Sequence, residues 1–166
     1  MSRVALLVDI QNLYYTARQA FGCHVSYPNL WRAMAGDDDV VMARAYAIDR
    51  GDERQRRFQD ILRKTGFEVC LKPYIQRRDG SSKGDWDVGI ALDAVEAAAQ
   101  VDRVVLASGD GDFDLLVKRL RERHACRVDV FGVRALSADT LIRAADRFTA
   151  IEGELLLRPA SQQGTP

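Results

Sequence analysis

The sequence predicts an α/β protein, a three-layer α/β/α sandwich of Rossmann-like architecture with a mostly parallel central sheet. Two observations predict this class. Short apolar runs rich in β-branched residues alternate with longer stretches of helical period, and 166 residues suffice for one domain with a substantial core. Such alternation implies right-handed crossovers that place helices on both faces of the sheet. We expect one domain over residues 1–157 and a disordered tail over 158–166, because RPASQQGTP has little apolar content.

The individual elements follow from two different periodicities. Strands are predicted at residues 4–9, 40–48, 68–75, 103–107 and 127–132, with a short sixth at 148–151. Helices are predicted at residues 13–21, 27–34, 53–65, 86–99, 113–124 and 138–146. In the fourth helix, Val88, Ala91, Leu92 and Val95 recur at i, i+3, i+4 and i+7, which predicts that this stripe faces the core.

Composition excludes several classes of protein. Lysine plus arginine and aspartate plus glutamate both number 24, so no bulk positive charge would attract nucleic acid, although a local basic rim remains compatible with this total. Cys23, Cys70 and Cys126 form no CxxC pair, and His24 and His124 lack ligand spacing, so we expect reduced thiols and no zinc site. Without a signal peptide or a membrane-length apolar stretch, the chain is expected to be soluble and cytoplasmic.

Polar side chains follow two of the predicted strands. The first strand ends in LLVDIQN, which carries Asp9 and Asn12, and the fourth ends in VLASGDGD, which carries Ser108, Asp110 and Asp112. In an open parallel sheet, ligands bind outside the carboxyl ends of the strands, near the point where the strand order reverses. We therefore expect these side chains to meet at one edge of the sheet.

A third acidic segment, KGDWDVGIALD, opens the fourth helix with Asp85 and Asp87 and carries Asp93 further along. Capping alone explains some acids, since an N-cap such as Asp9 contributes about 1 kcal/mol and Asp114 suits a first helical turn. Capping does not require three segments to converge, however, and convergence favours a shared cation. Oxygen ligands without histidine or cysteine favour Mg²⁺ or Mn²⁺, which can activate water for in-line attack at phosphorus.

The motifs VDIQN, KGDWDVGIALD and SGDGDF, with LIRAADRFTAIE near the end, resemble the NYN domains of the LabA-like group in the PIN-like nuclease superfamily. The likeness covers the chain from Arg3 to about Leu156. It implies a PIN-like fold and a Mg²⁺- or Mn²⁺-dependent ribonuclease. Relatives often dimerise, so the resemblance is compatible with a homodimer and leaves the oligomeric state open. The metal-binding and catalytic acids that it implies are Asp9, Asp87, Asp110 and Asp112, and the supporting residues are Asn12, Ser108, Asp93 and Asp85. Because Asp85 stands where the family pattern is commonly uncharged, the resemblance leaves open which of Asp85 and Asp87 faces the metal.

The expected partner is RNA, single-stranded or structured, and its phosphates need positive contacts near the acids. The loop YIQRRDGSSKGD leads into the acidic helix and carries Arg77, Arg78 and Lys83, which we expect to hold the RNA backbone, although a solvated surface loop would have the same composition. Three aromatic residues flank the motifs and suit base stacking or, for the last two, burial: Tyr14, Tyr15 and Trp86.

Two other functions are compatible with these motifs. One is a non-catalytic RNA-binding or regulatory module that keeps a metal-binding acidic pocket. The other is a phosphatase or phosphotransferase that uses Asp9 as its nucleophile. Against the haloacid-dehalogenase version of the latter, DIQN lacks the second aspartate two positions after the first. Against a phospho-receiver, there is no acidic pair around Asp9 and no lysine ends the fifth strand.

Overall fold

A six-stranded parallel sheet forms the centre of the computed structural model, which describes residues 2–73, 75–76, 82–83 and 85–157, with the side chains of 75, 76, 82 and 83 excepted. The described residues form these strands: β1 (Arg3–Asp9), β2 (His24–Val25), β3 (Asp39–Asp49), β4 (Glu68–Pro73), β5 (Ile75–Gln76), β6 (Ser82–Lys83), β7 (Arg103–Ala107), β8 (Arg127–Gly132), β9 (Arg147–Ala150) and β10 (Leu156–Leu157). They form these helices: α1 (Ile10–Phe21), α2 (Tyr27–Ala35), α3 (Glu53–Thr65), α4 (Asp87–Ala98), α5 (Asp114–Arg123) and α6 (Asp139–Ala144).

The strand order of the central sheet is β4-β3-β1-β7-β8-β9, and every neighbouring pair is parallel. From β1 the chain progresses outward to β3 and β4, and after α4 it returns to β7 and progresses outward in the opposite direction. The order therefore reverses between β1 and β7, where ligands bind in open α/β sheets. Small antiparallel pairs, β2 with β10 and β5 with β6, lie outside this sheet.

Helices cover both faces of the sheet, so the predicted three-layer α/β/α sandwich is confirmed. On β1, Leu6 belongs to the core cluster that includes side chains of α1, α2 and α3, whereas Leu7 belongs to the cluster that includes side chains of α4, α5 and α6. Both leucines are fully buried, which explains why β1 is a continuous apolar run. Full burial of one such side chain contributes about 1.5–3 kcal/mol, so these two layers supply most of the driving force for folding.

Most predicted elements agree with the structure, and their ends differ where side chains cap or interrupt them. Helix α1 begins at Ile10, three residues before the predicted start, because Asp9 accepts a hydrogen bond from the main-chain N–H of Asn12 at 3.3 Å. The single strand predicted at 68–75 ends at Pro73, which cannot continue the donor ladder. Strands β2, β5, β6 and β10 are too short to produce a periodic signal, and the sequence did not predict them.

The predicted core stripe of α4 is wrong. Val88 is 70% exposed and Leu92 is 66% exposed, and Val95 is also exposed. The buried face instead comprises Ile90 and alanines on the same side, namely Ala94, Ala97 and Ala98. Both stripes fit a helical period, and the alanine face packs on the sheet because small side chains allow the helix axis to approach the strands closely. Periodicity alone could not distinguish the two.

Cys23, Cys70 and Cys126 are free thiols, as predicted. No helix within the described part of the chain is long and apolar enough to cross a membrane. The predicted tail, 158–166, lies outside the described residues.

The two stripes of α4 predict opposite effects of truncation. Ile90→Ala should lower the free energy of unfolding by about 2–5 kcal/mol, because it opens a cavity beneath α4. Leu92→Ala should change it by less than about 0.5 kcal/mol, because the side chain is in solvent. Urea unfolding of both variants would test this, and equal losses would contradict the assigned orientation of the helix.

Candidate active site at the carboxyl edge of the sheet

The site lies where β1 and β7 end side by side. Val8 is in register with Ala107, so the next residues along each strand, Asp9 and Ser108, emerge together at the carboxyl edge. Both are buried: Asp9 is 7% exposed and Ser108 is fully enclosed. The sequence motifs VDIQN and SGDGD therefore meet at the reversal of the strand order, as predicted.

Two hydrogen bonds join the motifs directly. The Ser108 hydroxyl donates to Asp9 Oδ2 at 3.0 Å, and the Gly109 main-chain N–H donates to Asn12 Oδ1 at 2.8 Å. The same Ser108 hydroxyl accepts the main-chain N–H of Asp110 at 3.2 Å. The predicted supporting residues Asn12 and Ser108 thus hold the backbone that carries Asp110.

Gly109 is required by close packing. A Cβ at this position would lie 2.6 Å from Ser137 Oγ and 3.0 Å from the Leu136 carbonyl oxygen. The segment after β8 presses on the motif at this point, and the Ala138 N–H donates to the Gly109 carbonyl at 3.1 Å. Any side chain at Gly109 would push the acidic turn away from Asp9 and Asn12.

Asp110 and Asp112 occupy a tight turn between β7 and α5. Asp110 caps a 3₁₀ turn, Gly111–Phe113, and its Oδ1 accepts the Asp112 N–H at 2.9 Å. Phe113 is almost fully buried and anchors the turn in the core. Asp114 is the first residue of α5, which confirms its predicted helix-initial position.

Helix α4 presents Asp87 to this turn. Trp86, immediately before the helix, donates its indole N–H to the Ala47 carbonyl at 2.9 Å and lies 5.3 Å from the Tyr46 ring, centroid to centroid. Gly89 leaves room for the indole, since a Cβ there would lie 2.6 Å from Trp86. The tryptophan is thus packed and partly buried, and its anchoring sets the start of α4.

Three carboxylates converge at this edge. Asp87, Asp110 and Asp112 each offer one oxygen, and these oxygens all lie within 4.8 Å of one another. We call these three residues the acidic cluster. Asp85 is exposed and outside the cluster, with its Oδ1 accepting the Asp87 N–H at 3.3 Å, so Asp87 and not Asp85 faces the neighbouring acids.

Asp9 borders the acidic cluster without belonging to it. Its two oxygens accept the Asn12 N–H and the Ser108 hydroxyl. The structure therefore brings together three of the four acids predicted as ligands and places the fourth beneath them, connected to Asp110 through Ser108.

Burial and neighbouring charges raise the pKa of two of these acids, Asp87 and Asp9. Burial, the charge of Asp110 and a hydrogen bond with Asp110 together raise the pKa of Asp87 to about 7. Burial also raises the pKa of Asp9 to about 6, outweighing the hydrogen bonds from Asn12 and Ser108 that lower it. Two carboxylates about 4 Å apart repel by roughly 4 kcal/mol at an effective dielectric of 20, which a shared cation would offset.

The donor set fits a hard divalent cation. The described ligand candidates are carboxylate oxygens alone, at separations compatible with a common ion. Such ligands favour Mg²⁺ or Mn²⁺ over zinc or copper, which prefer nitrogen and sulfur. Exposed Asp112 leaves one side of the acidic cluster open to solvent, as a site that also binds substrate oxygens requires.

Asp93 supports the site from a distance. Its Oδ2 lies 3.0 Å from Arg44 Nη1 and accepts the Tyr46 hydroxyl at 2.7 Å. Because Arg44 and Tyr46 belong to β3, these contacts tie α4 to the sheet and orient the helix that carries Asp87. Tyr46 has no distinguishing sequence context, so sequence analysis missed it.

Of the other residues predicted to contact RNA, the structure describes the two tyrosines and not the side chains of the basic loop. Tyr14 and Tyr15 are 40% and 48% exposed, so the burial considered for Tyr15 does not occur. Arg77 and Arg78 lie outside the described residues, as does the side chain of Lys83. Their proposed contact with an RNA backbone stays a prediction.

Comparisons with known proteins agree with the observed fold. The model of the NYN domain matches residues 3–152. The low amplitude and bright protein LabA of Synechococcus elongatus is 28% identical over 155 residues, covering 89% of this chain and 82% of the relative. A crystal structure of a protein of unknown function from Vibrio parahaemolyticus is 55% identical and has a TM-score of 0.90, covering 94% of this chain and 96% of that one. The fold is therefore shared over almost the whole chain.

The raised pKa of Asp9 predicts a pH-dependent effect of Asp9→Asn in EDTA. The pKa of Asp9 is about 6 in the folded state and 3.8 ordinarily, so between these pH values native Asp9 holds a proton that the unfolded chain has already lost. Its contribution to stability is therefore present below pH 4 and lost as the pH rises through 6, a change on the order of 3 kcal/mol. In thermal unfolding, the difference in stability between the two proteins should shift in favour of Asp9→Asn as the pH rises from 4.5 to 8, because only wild type loses this contribution. A difference independent of pH would contradict this.

Proposed function

Because this chain belongs to the NYN domain family, as its motifs predicted, we propose that it is a metal-dependent ribonuclease that hydrolyses RNA phosphodiester bonds at the acidic cluster. Family membership supports a nucleic-acid-related role. The observation that carries the proposal is the convergence of Asp87, from α4, with Asp110 and Asp112, from the turn after β7, at the reversal of the strand order. Ligands bind at this position in related architectures.

The three acids would hold the ion. When bound, Mg²⁺ or Mn²⁺ lowers the pKa of a water and stabilises negative charge on phosphate oxygens. Without a cation, three neighbouring carboxylates repel an incoming phosphate, so productive RNA binding at the acidic cluster depends on the divalent ion. This repulsion also argues against a role for the bare acids as an anion-binding surface.

The chain's own residues supply positioning. Ser108 fixes the Asp110 backbone, and Asn12 fixes Gly109, so the turn is held in place before any ligand arrives. Asp93 and Trp86 fix α4 and thereby Asp87. Preorganised side chains of this kind avoid reorganisation during the reaction, and outer partners of metal ligands typically affect activity by 10–100-fold.

Other parts of the prediction belong to the same proposal. RNA is the proposed substrate, and Arg77, Arg78 and Lys83 are proposed to contact its backbone from the loop that precedes α4. A homodimer and a cytoplasmic location also remain proposals. The phosphotransfer alternative is disfavoured, because both oxygens of Asp9 accept hydrogen bonds and the side chain is 7% exposed, which hinders nucleophilic attack.

Cleavage of an end-labelled, mixed-sequence single-stranded RNA would test the activity. Purified wild type should cut in Mn²⁺ or Mg²⁺ and not in EDTA, whereas Asp87→Asn and Asp110→Asn should lose more than about 100-fold in rate, exceeding the loss typical of outer-shell partners. Asp114→Asn is the matched control, because this acid lies in the same segment outside the acidic cluster. Equal cleavage by all variants would identify a contaminant, and no cleavage by wild type on varied RNAs would overturn the ribonuclease proposal.

Metal binding can be measured without activity. In titrations with Mn²⁺ at pH 7.5, the melting temperature of wild type and Asp114→Asn should rise, because ligands of the native state stabilise it by mass action. Asp110→Asn should start with a higher melting temperature in EDTA, since one repelling charge is removed, and should gain little from Mn²⁺. Equal gains in all three proteins would place the cation elsewhere.

A further inference from the structure

A second feature of the same sheet edge is a groove of about 580 Å³ between α1 and α3. It begins at Ile10 and Gln11, the two residues that follow Asp9, and crosses the carboxyl end of β3 at Ala47 and Ile48. The groove is therefore continuous with the edge that carries the acidic cluster. The hydrogen bonds that build the acidic cluster do not involve the exposed side chains of this groove.

The groove collects exposed apolar side chains. Tyr14, Tyr15, Ile61 and Leu157 all line it, and all four are large apolar residues that the fold leaves at least 40% exposed. Its floor is apolar as well, with Phe58 packed edge-to-face on buried Tyr27 at 5.3 Å between centroids. Exposed apolar surface concentrated in one concave place indicates a binding site.

The aromatic rings are arranged as a platform. The Tyr14 ring lies parallel to within 25° of the His24 imidazole at 5.6 Å, and it meets Tyr15 edge-to-face at 5.3 Å. The hydroxyl of Tyr15 accepts a hydrogen bond from Arg50 Nη2 at 3.5 Å, which orients that ring. The rings thus present faces that flat, planar ligands can stack on.

The charges along the groove suit an anionic chain. Arg50 and Arg54 line it where β3 leads into α3. Asp52 is the acid among the described lining residues, and its Oδ1 accepts the Gln55 N–H at 2.8 Å as the N-cap of α3. With Asp52 ionised, two arginines and one aspartate still leave a net positive charge among the described residues at this end of the groove.

We propose that this groove binds the bases of single-stranded RNA that extends from the acidic cluster, with bases stacking on Tyr14 and Tyr15 and Arg54 contacting phosphate. The inference rests on the proposed function, because its occupant is the strand that the acidic cluster would cut. Aromatic platforms beside cationic side chains bind single strands with little sequence preference. A duplex does not fit this use, since its bases are already stacked and paired.

Binding can be measured separately from cleavage. A fluorescein-labelled 12-nucleotide single-stranded RNA would be titrated by anisotropy in EDTA and low salt, with Asp110→Asn as the parent protein to lower repulsion. Adding Tyr14→Ala or Tyr15→Ala should raise Kd at least 5-fold each, the lower end of what loss of one base–aromatic stack produces. Tyr15→Phe, which keeps the ring, should stay within about 2-fold of the parent.

Phe21→Ala is the matched control, because Phe21 is an exposed aromatic residue of the same helix that does not line the groove. It should bind like the parent, and circular dichroism melts should show all variants folded. Affinity that is independent of both tyrosines would show that the RNA binds outside the groove and would overturn the inference. Equal binding of the corresponding duplex, or no measurable binding by the parent, would also overturn it.

The outcomes separate the two proposals. Tyrosine-dependent binding without metal-dependent cleavage by wild type would keep the groove and overturn the ribonuclease proposal. Metal-dependent cleavage with tyrosine-independent binding would do the reverse.

Discussion

The hydroxyl of Ser108 is the interaction on which the site depends. It is fully buried, and it both donates to Asp9 and accepts from the main chain of Asp110. A buried hydroxyl without partners would cost about 1–3 kcal/mol, so these hydrogen bonds are what allows Ser108 to be buried. Through this one group the end of β1 is joined to the turn after β7, and the acids on both sides acquire a defined separation.

The acidic cluster opposes the stability of the fold that presents it. Packing holds Asp87 near Asp110 and Asp112, although their charges repel, and burial together with the charge of Asp110 raises the pKa of Asp87. Binding sites commonly retain such destabilising arrangements because the ligand relieves them. The surrounding hydrogen bonds hold the acids in place, and a divalent cation bound as proposed would offset their repulsion.

Helix α4 shows how the sheet determines where an acid points. Its start is held by the Trp86 indole on the Ala47 carbonyl, and its middle is held by Asp93 on Arg44 and Tyr46. These contacts fix the rotation of the helix, which directs the alanine face inward and Asp87 toward the turn after β7. The same rotation leaves an apolar stripe in solvent.

The sequence by itself determined the fold class, the order of the main elements and the edge at which the acids meet. Those features depend on local periodicity and on the rule that parallel strands end at a common edge, and both are visible along the chain. The tertiary structure decided between Asp85 and Asp87 and placed Asp9 beneath the acidic cluster. It also selected the buried stripe of α4 and assembled the groove from Tyr15 and Leu157, which are distant in sequence. These outcomes depend on helix rotation and on contacts between distant segments, which no local pattern encodes.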